Sequence, residues 1–223
     1  MRSFWGFYTV LNLEKAIKLN PGLNKKLFLP SPGDVLRILE EEPVKSWLRF
    51  IARNHVAPRK ELLLLVPCSP RKPYDPPRDE LHRRLLELEK RHNIYLVSVS
   101  EPLCLEPREY WSFRWGKHNL IYDAPFFPWI ERYGYKWSDK TARMVWEKLG
   151  RVAELWYERN KHFRRVVSFA TPSSGYRKIV EKMGVDVFVP DFEPDVEVSY
   201  ENNTDIIYTH PDVWKALLDT LRP

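Results

Sequence analysis

Four short apolar runs, each closed by a turn residue and set between helix-like stretches, constrain this chain more than any other feature. Leu62-Leu63-Leu64-Leu65-Val66 is continuously apolar and ends at Pro67, the pattern of a strand covered on both faces. Glu80 to Arg91 then places Leu81, Leu85, Leu86 and Leu88 toward a core, with Arg, Lys and Glu on the other side, as in an amphipathic helix. Ile94-Tyr95-Leu96-Val97-Ser98-Val99 is the next strand. A strand, helix and strand in this order need a right-handed crossover, which makes the two strands parallel. Val166 to Ala170 and Val185 to Val189 are two more strands, around a helix expected from Ser173 to Met183 and stopped by Gly184. The alternation predicts an α/β fold of three layers, a mainly parallel central sheet flanked by helices.

The remaining segments have weaker signals. Phe4 to Val10 is a short apolar segment, Leu13 to Leu19 a helix, and Asn20-Pro21-Gly22 a turn. Ser31-Pro32-Gly33-Asp34 reads as a helix start with either Ser31 or Asp34 as the cap. Helices follow at Asp34–Glu42 and Val44–Asn54. A long helix from Ser138 to Lys161 carries Val145, Leu149, Val152, Leu155 and Trp156 at helical spacing. Ile206-Ile207-Tyr208 reads as a last edge strand before a helix from Pro211 to Leu221. The expected organisation is one α/β domain over residues 1–223: an N-terminal extension (1–33), a core (34–190), and an edge strand with a helix (191–223).

Composition excludes several function classes. The longest aliphatic run has five residues, from Leu62 to Val66, far short of the roughly 20 needed to span a bilayer. Residues 1–6 lack the apolar stretch and small-residue site of a signal peptide, so the expected compartment is the cytoplasm, with no membrane partner. Gln is absent, Pro reaches 19 and Gly only 8, a balance found in heat-adapted proteins. The net charge of +6 is compatible with a nucleic-acid partner without establishing one. Cys68 and Cys104 lack the paired spacing of a structural zinc site, and no metal or organic cofactor is implied. Both follow strands expected to be neighbours, about 5 Å apart, so a disulfide between them is a further expectation.

In parallel sheets ligands sit beyond the carboxyl ends of the strands. That rule selects the loops Pro67 to Pro77, Ser100 to Arg108, and Thr171 to Gly175. The first places a thiol, Cys68, beside Arg71, Lys72 and Tyr74. The nearby cations favour a thiolate, the form a nucleophilic cysteine requires; the alternative is a small buried side chain in a stiffened turn. Thr171-Pro172-Ser173-Ser174-Gly175 joins a strand to a helix, and reads either as an anion site at a positive helix end or as an ordinary cap.

The string Pro67-Cys68-Ser69-Pro70-Arg71-Lys72-Pro73-Tyr74 is similar to the PC-x3-KPY signature of archaeosine synthase, an archaeal family acting on the 7-cyano-7-deazaguanine base at position 15 of tRNA. The likeness continues in order. Ser100 to Glu109 resembles that family's SPLG-x-VPRE segment, Tyr122-Asp123-Ala124-Pro125 its YD-x-P segment, and Gly175-Tyr176 its Gly-Tyr after a strand. Together these cover about Val35 to Met183, the family's central domain. The signature then departs: Pro77 stands at a Ser position and Glu80 at a His position, and His82, two residues on, is turned about 200° away on a helix. Cys104 replaces a Gly, and Phe126-Phe127 a polar stretch.

The resemblance implies a tRNA-modifying transferase acting on a deazaguanine nitrile, with tRNA or another nucleic acid as partner and a separate protein supplying an RNA-binding module. It carries over Cys68, Lys72 and Asp123, read as catalytic, and Tyr74, read as substrate-binding; Arg71, Arg108, Tyr122, Ser173, Ser174 and Gly175, from the same strand-end loops and motifs, read as further substrate-binding residues. Lys72 would hold phosphate or carboxylate, Tyr74 would stack on a base, and Asp123 would accept from a purine-like edge or take a proton. Glu106 and Arg108 read as an ion pair shaping their loop. Two other readings stay open: a base-excision enzyme with a uracil-DNA-glycosylase-like fold, Asp123 positioning water, and a non-catalytic RNA-binding subunit. The aromatic stretch from Trp111 to Trp137, interleaved with Arg114, Lys117, His118, Arg132 and Lys136, either stacks bases or forms a small core under a long loop.

Overall fold

The computed structural model describes residues 11–222. The expected apolar segment Phe4 to Val10 lies outside them. In chain order the elements are α1 (Leu13–Leu19), α2 (Pro32–Ile38), α3 (Val44–Arg53), β1 (Leu62–Pro67), α4 (Glu80–Arg91), β2 (Ile94–Ser100), β3 (Cys104–Pro107), β4 (Arg114–Trp115), β5 (His118–Asn119), α5 (Asp139–Arg159), β6 (Arg165–Phe169), α6 (Gly175–Val180), β7 (Val187–Val189), α7 (Asn203–Tyr208) and α8 (Pro211–Leu221). The main sheet has the order β3-β2-β1-β6-β7; β4 and β5 form a separate hairpin.

The fold is a three-layer α/β arrangement. β2, β1, β6 and β7 are parallel, and β3 is an antiparallel edge strand. Leu64 of β1 lies between Leu96 of β2 and Val167 of β6, all three buried, which explains why these segments are continuously apolar. From β1 the chain crosses through α4 to β2 in one direction, and from β6 it crosses through α6 to β7 in the other. Right-handed crossovers in opposite directions put α4 and α6 on opposite faces. α2, α3 and α6 pack around α5 on one side, and α7 joins α4 to α8 on the other. The reversal falls between β1 and β6, so their carboxyl ends flank the crevice where ligands of such sheets bind.

Helix starts follow the sequence signals closely. Ser31 rather than Asp34 caps α2, its Oγ accepting from the Asp34 amide at 3.2 Å. Asp79 caps α4 and Ser138 caps α5 in the same way. Three expectations need correction. Ile206 to Tyr208 is part of the helix α7 rather than an edge strand: the adjacent Asn203 and Thr204 are buried together with Tyr208, while Asp205 to Ile207 are only partly buried, a helical spacing and not the every-second-residue burial of a strand. The helix expected from Ser173 begins only at Gly175 and stops at Val180. β3 was not expected; it arises because Cys104, with φ of 66°, turns the chain back so that Ser100 pairs with Cys104. Among the described residues no helix is long and apolar enough to cross a membrane.

Leu64 is fully buried between two parallel neighbours. Leu64→Ala is expected to cost about 2–5 kcal/mol in a denaturant melt, by lost transfer energy plus the cavity left behind.

Candidate active site at the carboxyl edge of the sheet

The loop after β1 is held from beneath. Tyr74 is fully buried, its hydroxyl accepts from the Ser69 amide at 3.2 Å, and its amide donates to the Trp111 carbonyl. The Tyr74 ring stacks on His82 with centroids 3.9 Å apart and meets Phe113 edge-on at 4.9 Å. Asn20 accepts from the Lys72 amide at 2.7 Å and donates to the Pro70 carbonyl at 2.9 Å, fastening the loop from the N-terminal side. Tyr74 is therefore a structural pillar and offers no face to a base. His82, with Nδ1 3.0 Å from Asp79 Oδ1, belongs to the same buried support.

Above this support Cys68, Lys72, Glu101 and Asp123 line one narrow crevice, together with Tyr176 and Tyr200. Cys68 Sγ lies 3.3 Å from the Tyr176 hydroxyl. Lys72 Nζ donates to the Ser69 carbonyl at 2.7 Å and sits 3.9 Å above the Tyr122 ring. That cation–π contact is the role of Tyr122, which is itself buried. Asp123 accepts from the Tyr200 hydroxyl. Glu101 is 5% exposed and accepts from Trp146 Nε1 at 2.7 Å.

Phe126, Phe127, Tyr176, Asn203 and Thr204 border both this crevice and a larger cleft of about 540 Å³. Trp129, Trp137, Trp146 and Tyr208 also line the cleft, with Ser173, Ser174 and Gly175 on the side of β6. Gly175 is required by close approach: a Cβ there would meet Trp146 Nε1 at 2.6 Å and Glu101 Oε1 at 2.9 Å. The absent side chain lets α6 begin against the Glu101–Trp146 pair.

The electrostatics are those of a poorly hydrated pocket. Burial pushes the Cys68 thiol up to about 11 although Lys72 pulls it down, which favours the buried thiol over the thiolate of the two readings at neutral pH. Burial raises the Glu101 carboxyl to about 7, against the lowering effect of the Trp146 hydrogen bond. Asp123 and Glu106 are also raised by burial, with Tyr200 and Lys72 opposing it for the first, and Lys72 and Ser100 for the second.

Other expected placements change. Arg108 binds Asp75 at 3.2 Å and Glu89 at 3.3 Å and lies over Trp111, outside the cleft. It does not pair with Glu106, which is buried and accepts from Ser100 Oγ at 2.6 Å. Arg71 lines neither the crevice nor the cleft. The Ser173 amide donates to Glu193 Oε1 at 2.6 Å, and the Tyr176 amide to Ser174 Oγ at 3.1 Å, so the turn before α6 is a satisfied cap rather than an anion site. Both cysteines are free: Cys104 Sγ donates to the Leu149 carbonyl at 3.2 Å, on the α5 side, and does not bridge to Cys68. The aromatic stretch divides. Trp111, Phe113 and Tyr122 are core, whereas Phe126, Phe127, Trp129 and Trp137 face the cleft.

Sequence reasoning missed Glu101, Trp146, Tyr200 and Asn203. Glu101 was legible only as the residue directly after β2 at the carboxyl edge. The others come from a helix face and a C-terminal segment with no motif.

The Glu101 carboxyl gives a pH test. Its folded value of about 7 exceeds the 4.5 of an unperturbed carboxyl, so the folded state binds the proton more tightly and stability falls as pH rises from about 4.5 to 7. Glu101→Gln removes this titration, and relative to wild type it is expected to gain stability across that window, on the order of 3 kcal/mol above it. Denaturant melts at a series of pH values measure the difference. Alkylation of Cys68 by iodoacetamide is expected to be slow at neutral pH and to accelerate toward its raised value.

No curated protein matches the chain significantly. Among solved structures it is similar to the crystal structure of AF0587, a protein of unknown function, with 21% identity and a TM-score of 0.43 over 79% of this chain and 50% of that one. The chain thus spans about half the length of that protein. A family model described as a domain of unknown function, DUF5591, matches residues 44–206, which include β1, the Cys68 loop, Glu101, Asp123 and the start of α6. With most of its length matched, the chain belongs to the DUF5591 family.

Proposed function

We propose that the protein is an archaeosine-synthase-like transferase of tRNA modification, which binds a 7-deazaguanine-type base and forms a covalent link to it through Cys68. One observation carries this reading: a crevice lined by Cys68, Lys72, Glu101 and Asp123 adjoins, across Phe126, Phe127 and Tyr176, an aromatic cleft of about 540 Å³. Apolar, ring-lined walls with a few convergent polar groups suit a flat heteroaromatic ligand. The ordered motifs of the sequence add to it.

In the proposed reaction the Cys68 thiol adds to the nitrile. A sulfur–carbon bond forms, one carbon–nitrogen π bond breaks, and the thiol proton passes to the nitrile nitrogen. An amine then attacks the same carbon and displaces the thiol, leaving an amidine on the base and Cys68 regenerated. Glu101, with a carboxyl near 7, is suited to carry protons in both steps. Asp123 accepts from the donor edge of the base, and Lys72 supplies positive charge beside the reacting sulfur.

The raised Cys68 thiol, with Pro77 and Glu80 at the Ser and His positions of the signature, favours a second reading, a binding subunit that recognises the base without reacting. Intact-protein mass measurement separates the two. Incubation with 7-cyano-7-deazaguanine at mildly alkaline pH is expected to add the mass of the base to wild type and nothing to Cys68→Ala. Saturable binding of the base by both proteins with no adduct on either would establish the binding subunit instead.

A further inference from the structure

Beside the aromatic cleft runs a second groove of about 450 Å³ between α5 and the segment from α6 to Lys182, lined by four cations, Arg143, Arg151, Lys178 and Lys182, and two carboxylates, Glu147 and Glu181, with Trp146 and Gly150 between them. Arg143, Trp146 and Lys178 border both hollows, so the two adjoin. The helix faces explain the groove. On α5 residues 143, 147, 150 and 151 follow one another on one face, and at Gly150 the Ile179 carbonyl lies 3.5 Å from the position of a Cβ, so α6 rests closely on a side-chain-free floor. The face from Arg143 to Arg151 extends about 12 Å at 1.5 Å per residue.

The four cations differ from many others on the surface. Arg37, Arg83, Arg84, Lys90, Lys148 and Lys215 all pair with carboxylates, several on their own helices. None of Arg143, Arg151, Lys178 and Lys182 is within 4 Å of a carboxylate among the described residues, and all four are exposed. Lys178 Nζ lies 4.3 Å over the Trp146 ring, at the junction with the cleft.

We infer that this groove binds the phosphates of single-stranded RNA flanking the base held in the aromatic cleft. A row of unpaired cations that ends on stacking rings is the arrangement that takes a backbone on one side and an unstacked base on the other. An acidic peptide would use the cations but leave the adjoining rings without a partner. The inference rests on the proposed base-binding role of the cleft, and it adds the surface that holds the backbone and the path the backbone takes.

The test is fluorescence anisotropy with a labelled single-stranded oligouridine over a range of salt. Wild type is expected to bind, and Arg151→Glu/Lys182→Glu to bind about tenfold or more weakly at low salt, with the salt slope shallower by about 1.4, at roughly 0.7 for each phosphate no longer neutralised. The control Arg53→Glu/Arg59→Glu reverses the same charge near the amino end of β1, and is expected to change affinity little. Equal weakening in the control, or equal affinity for poly-glutamate, would overturn the inference. Wild type that forms the Cys68 adduct with the free base yet does not bind oligouridine would overturn the groove alone. Oligouridine binding that depends on Arg151 and Lys182, with no adduct and no binding of the free base, would uphold the groove and refute the reading of the cleft.

Discussion

The hydroxyl of Tyr74 accepts a hydrogen bond from the amide of Ser69, and the Cys68–Lys72 wall of the crevice depends on that contact. Beyond Cys68, whose amide still donates to the Val99 carbonyl at 3.1 Å, the chain leaves the sheet and has no ladder to hold it. Tyr74, stacked on His82 at the start of α4, reaches back beneath this stretch and supplies the acceptor that β-pairing no longer does. With Ser69 fixed, its carbonyl receives Lys72 Nζ, and Cys68 is left at the mouth of β1 facing Tyr176. Buried polar contacts of this kind cost more to break than they contribute when made, because the orphaned amide has no water to replace its partner.

The same shortage of space governs the other wall. Gly175 brings α6 against Trp146 and Glu101, which confines Glu101 to one hydrogen bond and little solvent. A carboxyl so confined keeps its proton near neutrality, and the thiol that shares its crevice keeps its own far above. The crevice thus holds acidity in Glu101 and withholds nucleophilicity from Cys68. In the proposed reaction, a ligand that brings a polar edge into the crevice would change the surroundings of both groups at once and so tie reactivity to occupancy.

The fold was largely readable because parallel strands buried on both faces announce themselves: Leu62 to Val66, Ile94 to Val99 and Val166 to Phe169 are strands as their composition requires. β3 and α7 were not readable, since each depends on a local backbone turn or on tertiary burial of three side chains rather than on a periodic run. For the site, loop position was informative and side-chain direction was not. Cys68, Lys72 and Asp123 meet in the crevice, whereas Tyr74 and Arg108, equally prominent in the motifs, turn inward to support the loop or outward to ion pairs. The two readings of Cys68 stayed open in the sequence for a related reason: it displays the neighbouring cations but not the desolvation, and desolvation is the larger effect.

At the centre of the proposed function, Cys68 is the group that meets a planar base through the aromatic cleft. A crystal structure of the protein exposed to 7-cyano-7-deazaguanine tests this most directly. The prediction is electron density continuous from Cys68 Sγ to the former nitrile carbon, with the ring system lying among Phe126, Phe127 and Tyr176 and its donor edge at Asp123. A base bound elsewhere, or a cleft left empty at saturating ligand, would contradict it.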